Sequence, residues 1–423
     1  MDERFEQPER ESRGASGQPD TTSRSESGRD PERERLLRET QMEIDRMKAA
    51  AMEEIKSSTA AYIQMQVQQA CAMAEAQTRA RIFMEEQEKT ARSKEQSRQF
   101  SRLGLVLFAF MGVAFAAQLV LIVITMLVGL VGGLDVDFEN QTVQIVISAI
   151  SMYGVAFPVA ALLMRLIPKQ GRPGGENWSA MKLTACFVIC IGIGFVGILL
   201  SQFVDALFPA GGDGVQPEDM MTGVGMLLNI AMVVFAAPIV EELLYRKMLI
   251  DRIAAYGDGV SVVVSGLLFG LAHGNFSQFF YAFGLGALFA YVYIKTGHIG
   301  YTIGFHMFFN LIGGVFTVEL NKGLMEVRDP AGMVARLEQI FGVDLGPVVP
   351  LVCNALLTLY LVMSVVCAVG GLVILISRRK EIVFRPGEKP MVWGRRFSAV
   401  VLNPGVILYL LLCAGLFWMS SLA

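Results

Sequence analysis

An all-α, polytopic helical membrane protein of about eight or nine transmembrane helices, behind a polar N-terminal tail and a long helix, is predicted by three features of the sequence. The 423 residues are 53% apolar, with 42 Gly and 27 Phe, against roughly 45–50% apolar in soluble domains. Charge is unevenly spread: 38 of the 75 Lys, Arg, Asp and Glu residues precede Leu103, and 37 serve the 321 positions after that boundary. Charge-free stretches of about 20 residues, enough to cross a hydrocarbon core of roughly 30 Å, recur through the second part. The net charge of −3, with both signs interleaved, provides no footprint for nucleic acid. Cys71, Cys186, Cys190, Cys353, Cys367 and Cys413 lack any paired spacing and mostly sit in apolar runs. They read as packing residues and not as a disulfide framework or thiolate metal site.

Residues 1–34 hold almost no large apolar groups, so a disordered polar tail is expected; no apolar stretch follows the start, so no signal peptide is expected. Residues 35–100 form one cytosolic amphipathic helix or coiled coil in this reading. Leu37, Ile44, Met47, Ala51, Ile55, Tyr62 and Met65 recur at helical spacing. The stripe suits a coiled-coil or protein partner through residues 35–97, or else a solvated spacer. Residues 101–423 make the membrane body. Leu103–Leu134, Gln141–Met164, Leu183–Val204, Met220–Val240, Ile299–Val318, Leu345–Ser377 and Phe397–Ala423 each qualify as spans. Val260–Ile294 is interrupted only by His273 and is too long for one span; Gly274-Asn275 offers a break, giving two helices and nine in all.

Lys94, Arg98 and Arg102 precede the first span, and Asp135, Asp137 and Glu139 follow it. Arg165, Lys169, Arg172 and Lys182 lie between the second and third, and a run from Arg378 to Arg396 precedes the last. With nine spans these basic segments share one side, which the positive-inside rule makes cytosolic, along with the N-terminus. Trp178, Trp393 and Trp418 fall near span ends, where indoles rest at the interface.

A charge within a span costs at least about 2.5–3.5 kcal/mol on insertion scales and needs a partner or a purpose. Glu241 and Glu242 follow 21 uncharged residues, with Arg246 shortly after; His273 closes Phe269-Gly-Leu-Ala-His273; His306 and Asn310 are four apart, on one helix face. A Glu pair before Arg can be an interfacial ion pair, and His306 with Asn310 can hydrogen-bond another helix. His298, in a short polar turn, reads as structural. Two carboxylates, two imidazoles and an amide on neighbouring spans exceed what packing needs. Glu241 and Glu242 lie 16 and 15 residues before Gly257, and His273 lies 16 after it. A helical hairpin about that turn brings them to similar depth, about 24 Å from it. The fourth helix then projects beyond the membrane at Arg246, Lys247, Asp251 and Arg252, and the apolar partner Val260–Ala272 must be sheathed by protein.

A carboxylate paired with His can activate water as a general base, while a second His and an Asn supply donors for an oxyanion. No G-x-S-x-G elbow is present. Glu with two His is equally a zinc set, although H-E-x-x-H is absent, and spacing does not separate the two. Glu241-Glu242-x-x-x-Arg246, Phe269-x-x-x-His273 and His306-x-x-x-Asn310 resemble the three motifs of the CPBP family, the CAAX-protease and bacteriocin-processing (Abi) intramembrane endopeptidases. The resemblance covers about residues 220–315. It implies an all-helical membrane core in which Glu241 activates water with His273 as its partner. His306 and Asn310 would form the oxyanion site, with Glu242 and Arg246 orienting the first carboxylate. Family members are described both as metalloproteases and as metal-free glutamate proteases. The metal-free reading, with no cofactor, is preferred here; if zinc binds, its ligands would be Glu241, His273 and His306. The expected partners are the lipid bilayer and a peptide or membrane-associated protein substrate, and the expected location is a bacterial plasma membrane. The competing readings are a non-catalytic interaction or self-immunity protein on the same fold, and a proton-coupled transporter, for which no internal repeat is visible.

Overall fold

The structure is a computed structural model that describes residues 31–54, 60–133, 136–171, 173–207, 224–326, 338–342, 344–346 and 348–422. Residues 1–30 of the expected disordered tail lie outside these, as do Asp135, Arg172, Asp213, Glu218 and Asp219. All regular structure among the described residues is helical.

The chain divides into two units, Met1–Lys89 and Thr90–Ala423. In the first, the helix expected over 35–100 is two elements, α1 (Pro31–Glu54) and the early part of α2 (Ala60–Gly132). The Thr40 and Thr78 hydroxyls meet at 3.0 Å, and Ile44, Ala51 and Cys71 are buried. Ile44 and Ala51 of the apolar stripe are therefore covered within this unit, whereas Leu37 and Met65 stay exposed.

Among the described residues the second unit holds, besides shorter helical pieces, the end of α2 and eight long helices: α3 (Gln141–Arg165), α4 (Ala180–Leu207), α5 (Met226–Met248), α6 (Asp258–Ala272), α7 (Phe276–Thr296), α8 (Ile299–Lys322), α9 (Val348–Ser377) and α10 (Pro404–Leu422). Among the described residues eight helices, counting the apolar part of α2, are long and apolar enough to cross a membrane. The exception is α6, the ninth expected span: its 15 residues reach only about 22 Å. As its composition required, α6 is sheathed by protein, buried along most of Ser261–Gly270. Small residues make that possible: a Cβ on Gly266 would stand 2.8 Å from the Ala287 nitrogen, and one on Gly286 3.0 Å from the Gly266 Cα. Backbone thus meets backbone between α6 and α7. The break at Gly274-Asn275 is where the sequence placed it. Gly274 adopts φ +68°, and the Asn275 side chain caps α7 by accepting from the Gln278 N–H at 2.8 Å. The six cysteines are free thiols.

The connections at one end of the bundle interlock. Gln170 N–H donates to Asp251 O (2.8 Å), Ala255 N–H to Gln170 O (2.9 Å), Gly174 N–H to Ile294 O (2.6 Å) and Lys389 N–H to Ala255 O (2.8 Å). Ion pairs reinforce them: Lys169–Asp251 at 2.8 Å, Lys295–Asp258 at 2.6 Å and Arg385–Glu176 at 2.7 Å. The Lys/Arg-rich segments before α4 and before α10 therefore share one end, as the charge pattern required. The fourth expected span, α5, stops among these connections rather than continuing beyond them. Its helical turns give way to turns at Asp251–Ile253, and the Asp251 and Arg252 side chains are buried against partners. The Arg252 guanidinium donates to the Met164, Ile167 and Met248 carbonyls. Burial pulls its pKa down, with Asp251 opposing.

Candidate active site

Three helices carry the motif residues, and each is shaped locally to present them. π-helical turns interrupt α5 at Ile230–Ala236 and Glu242–Met248, α8 at Leu311–Phe316, and α3 at Ile150–Ala156. Such turns are rare and gather at functional sites; all four adjoin or line one cavity here. Two supply acceptors for cross-helix bonds. Asn310 Nδ2 donates to Val233 O at 2.9 Å, and Ser265 Oγ donates to Tyr245 O at 2.7 Å.

Consecutive residues of a helix point about 100° apart, which gives the two glutamates different surroundings. The Glu241 side chain is 24% exposed and faces the cavity, whereas Glu242 is wholly buried behind it. His306 spans both: its Nδ1 lies 3.0 Å from Glu242 Oε1 and its Nε2 3.7 Å from Glu241 Oε2. Arg246, also wholly buried, places its Nε 3.2 Å from Glu242 Oε2. The angles do not make that contact a hydrogen bond, and no Arg246 nitrogen has an acceptor among the described residues. The guanidinium instead lies over the Phe269 ring at 4.1 Å, with Phe289 at 5.6 Å.

Phe269 is the hub. Tyr245, His273 and His306 all meet its ring edge-to-face, at centroid distances of 5.4, 4.9 and 5.8 Å. His273 Nδ1 lies 3.0 Å from the Phe269 carbonyl. That carbonyl can only accept, so Nδ1 carries the proton and Nε2 keeps its lone pair in the neutral ring.

Glu241, His273, His306 and Asn310 line a single cavity of about 750 Å³, together with Met152, Tyr153, Gln202, Phe269, Gln278 and Tyr360 among others. Glu242 and Arg246 stand behind its wall. His298 is outside it, at the start of α8, with its ring against Tyr301. Equal depth of the carboxylates and His273 about Gly257 requires straight helix from Glu242 to Gly257. The actual path runs through a turn and a single 3₁₀ turn at Ala254–Tyr256, yet Glu241 and His273 still meet in one cavity. Among the described residues no three His, Cys, Asp or Glu side chains are gathered to hold a metal. Glu241, His273 and His306 do not fit zinc as arranged.

Two contributors had no signal in the sequence. Tyr153, on the π-helical turn of α3, lines the cavity close enough to Glu241 to interact with it electrostatically. Tyr409 of α10 donates to Leu268 O at 2.7 Å, one residue before Phe269, and lies 3.5 Å from the Tyr245 hydroxyl. Single tyrosines in charge-free spans look like any core aromatic.

Residues 223–312 match the family model described as Type II CAAX prenyl endopeptidase Rce1-like, bounds that hold all three motifs from Glu241 to Asn310. Those residues thus resemble the CPBP-family membrane proteases. The Bacillus subtilis (strain 168) protein named "Putative membrane peptidase YdiL" is 23% identical over 207 residues, which cover 47% of this chain and 82% of that protein. No solved structure matches. The match excludes α1 to α4, α9 and α10, although the Tyr409 bond shows that α10 braces the helix carrying Phe269 and His273.

Proposed function

We propose that the CPBP domain hydrolyses peptide bonds with water activated by Glu241, without a covalent nucleophile or a metal. The observation that carries this reading is the convergence of Glu241, His273, His306 and Asn310 on one cavity, with Glu242 and Arg246 held behind them. Glu241 accepts a proton from water as the oxygen attacks the scissile carbonyl, giving a tetrahedral oxyanion. His273 presents the Nε2 lone pair to the same water and holds it in line. The Asn310 amide, fixed through Val233 O, offers its second N–H to the oxyanion. His306 has a distinct requirement. With Nδ1–H donated to Glu242, Nε2 can stabilise the oxyanion only when it too carries a proton. Glu242 and Arg246 balance that charge: carboxylate, imidazolium and guanidinium in series with Glu241 sum to zero. When the intermediate collapses, the C–N bond breaks and Glu241 returns its proton to the leaving amine.

The substrate is a peptide or membrane-associated protein, processed in the CAAX-type or bacteriocin-type manner, and the protein sits in a bacterial plasma membrane with its N-terminus in the cytosol. The test is cleavage of an internally quenched peptide library by detergent-solubilised protein, wild type against Glu241→Gln at matched expression. The expected result is product from the wild type alone. Equal product from both would leave a non-catalytic interaction protein on this fold as the better account.

A further inference from the structure

The motif residues come from α5, α6 and α8, yet the wall that α3 contributes to the cavity carries a hydroxyl of its own. Tyr153 lines the cavity from the middle of the π-helical turn Ile150–Ala156. Its side chain is half-buried, and its hydroxyl makes no hydrogen bond among the described residues. The fully buried tyrosines differ: the Tyr293 hydroxyl donates to Asp251 at 2.8 Å, and that of Tyr409 to Leu268 O at 2.7 Å. A donor left unpaired in the wall of a cavity calls for a partner from outside the chain.

Contacts at the basic end fix the depth of Tyr153. α3 and α5 both finish there, where Arg252 Nε donates to Met164 O at 2.9 Å and Gln170 N–H to Asp251 O at 2.8 Å. Tyr153 precedes Met164 by 11 residues, and Glu241 precedes Arg252 by 11. Each therefore lies about 16 Å back from that bond along its own helix. Over the intervening turns Phe157–Arg165 packs against Glu242–Met248, which holds the two helices together up to that level. The phenol and Glu241 thus share one level of the cavity, near enough to interact electrostatically. No hydrogen bond joins them, so a group held in the cavity can meet both.

In the hydrolysis proposed above, the oxyanion has one neutral donor, the second N–H of Asn310, because His306 Nε2 serves only when it carries an added proton. A neutral phenol donates without that condition. Its hydrogen bond strengthens as charge grows on the carbonyl oxygen, so it favours the transition state over the bound substrate. We infer that Tyr153 is a further catalytic residue, its hydroxyl donating to the carbonyl oxygen that becomes the oxyanion. The phenol shares its proton without giving it up; the proton of water still passes to Glu241 and then to the leaving amine. α3 lies outside residues 223–312, so the family match assigns this helix no part.

The inference rests on the protease reading, and one set of variants separates the two failures. Tyr153→Phe keeps the ring and removes only a hydroxyl that bonds nothing else in the chain. Wild type, Tyr153→Phe and Glu241→Gln, purified in one detergent, are compared on the quenched peptide that wild type cleaves fastest. Tyr153→Phe should lower kcat at least tenfold, toward the loss of about 10²–10³-fold typical of a missing oxyanion donor, with KM and melting temperature nearly unchanged. A smaller loss, a loss carried by KM, or a clear drop in melting temperature overturns the inference. On the thioamide counterpart of that peptide, whose sulfur accepts hydrogen bonds weakly, the penalty should shrink; an equal penalty on both substrates places the effect of Tyr153 elsewhere and also overturns it. Should Glu241→Gln cleave as fast as wild type, the protease reading itself fails. Should Tyr153→Phe alone match wild type, that reading stands and Tyr153 is not an oxyanion donor.

Discussion

The second unit buries charge in two places and uses it in opposite ways. At the basic end the buried charges Asp251, Arg252 and Lys295 are engaged in holding connections together. Lys295 bonds both Asp258 and the Val383 carbonyl, at 2.6 and 2.5 Å, and Asp251 accepts from Lys169 and from the Tyr293 hydroxyl. Behind the cavity, Arg246 is just as buried but no nitrogen of its guanidinium has an acceptor among the described residues, and Glu242 shares its carboxylate between Arg246 and His306. A saturated network gives rigidity, whereas an unsaturated one keeps electrostatic capacity for a charge that develops later. Substitutions at the basic end should therefore register in stability, and those around the cavity in turnover.

The sharpest break in this contrast comes from Glu241→Gln, which keeps size but removes the base: cleavage should fall by about 10²–10⁴-fold with the melting temperature within a degree or two. His273→Ala should cost about the same factor, and the double mutant should be little worse than either single because the two groups act on one water. Additive losses in a steady-state comparison of the three would separate His273 from the base. Asn310→Ala should lower kcat by about 10²–10³-fold as an oxyanion donor; an unchanged kcat with raised KM would make it a binding residue. On the other side of the comparison, Lys295→Ala leaves Asp258 short of its cation and should destabilise by about 3–5 kcal/mol, with kcat per folded molecule near normal. Chemical denaturation in mild detergent measures that, and a kcat loss without destabilisation would erase the distinction between the two regions. Tyr409→Phe should cost about 1 kcal/mol for one hydrogen bond. The smallest effect belongs to His298→Ala, within about 0.5 kcal/mol of wild type and fully active, because His298 lies outside the cavity.

Where the sequence reading held, the physics was local. The Gly274-Asn275 break needed only positive φ and a capping amide, and the spans needed only length and apolarity. Where it fell short, the deciding partner was remote in sequence. Asp251 and Arg252 suggested a helix entering water, but Tyr293 and the carbonyls of Met164 and Ile167 cover them. Residues 35–100 read as an amphipathic helix or coiled coil, and the Thr40–Thr78 contact, 38 residues apart, shows that α1 and the start of α2 lie side by side.

The sequence alone determined that the body is an all-helical membrane fold and that its basic segments share one end, and it singled out six residues as a candidate site: Glu241, Glu242, Arg246, His273, His306 and Asn310. Hydropathy and the cost of isolated charge act on each residue wherever it is placed, so they can be read along a chain. The tertiary structure decided that Glu241 faces a cavity while Glu242 is sealed behind it, that His306 touches both, and that Tyr153 and Tyr409 join from helices with no motif. Those outcomes depend on helix rotation and on close backbone contacts such as Gly266 against Gly286, which arise only when separate segments pack against one another.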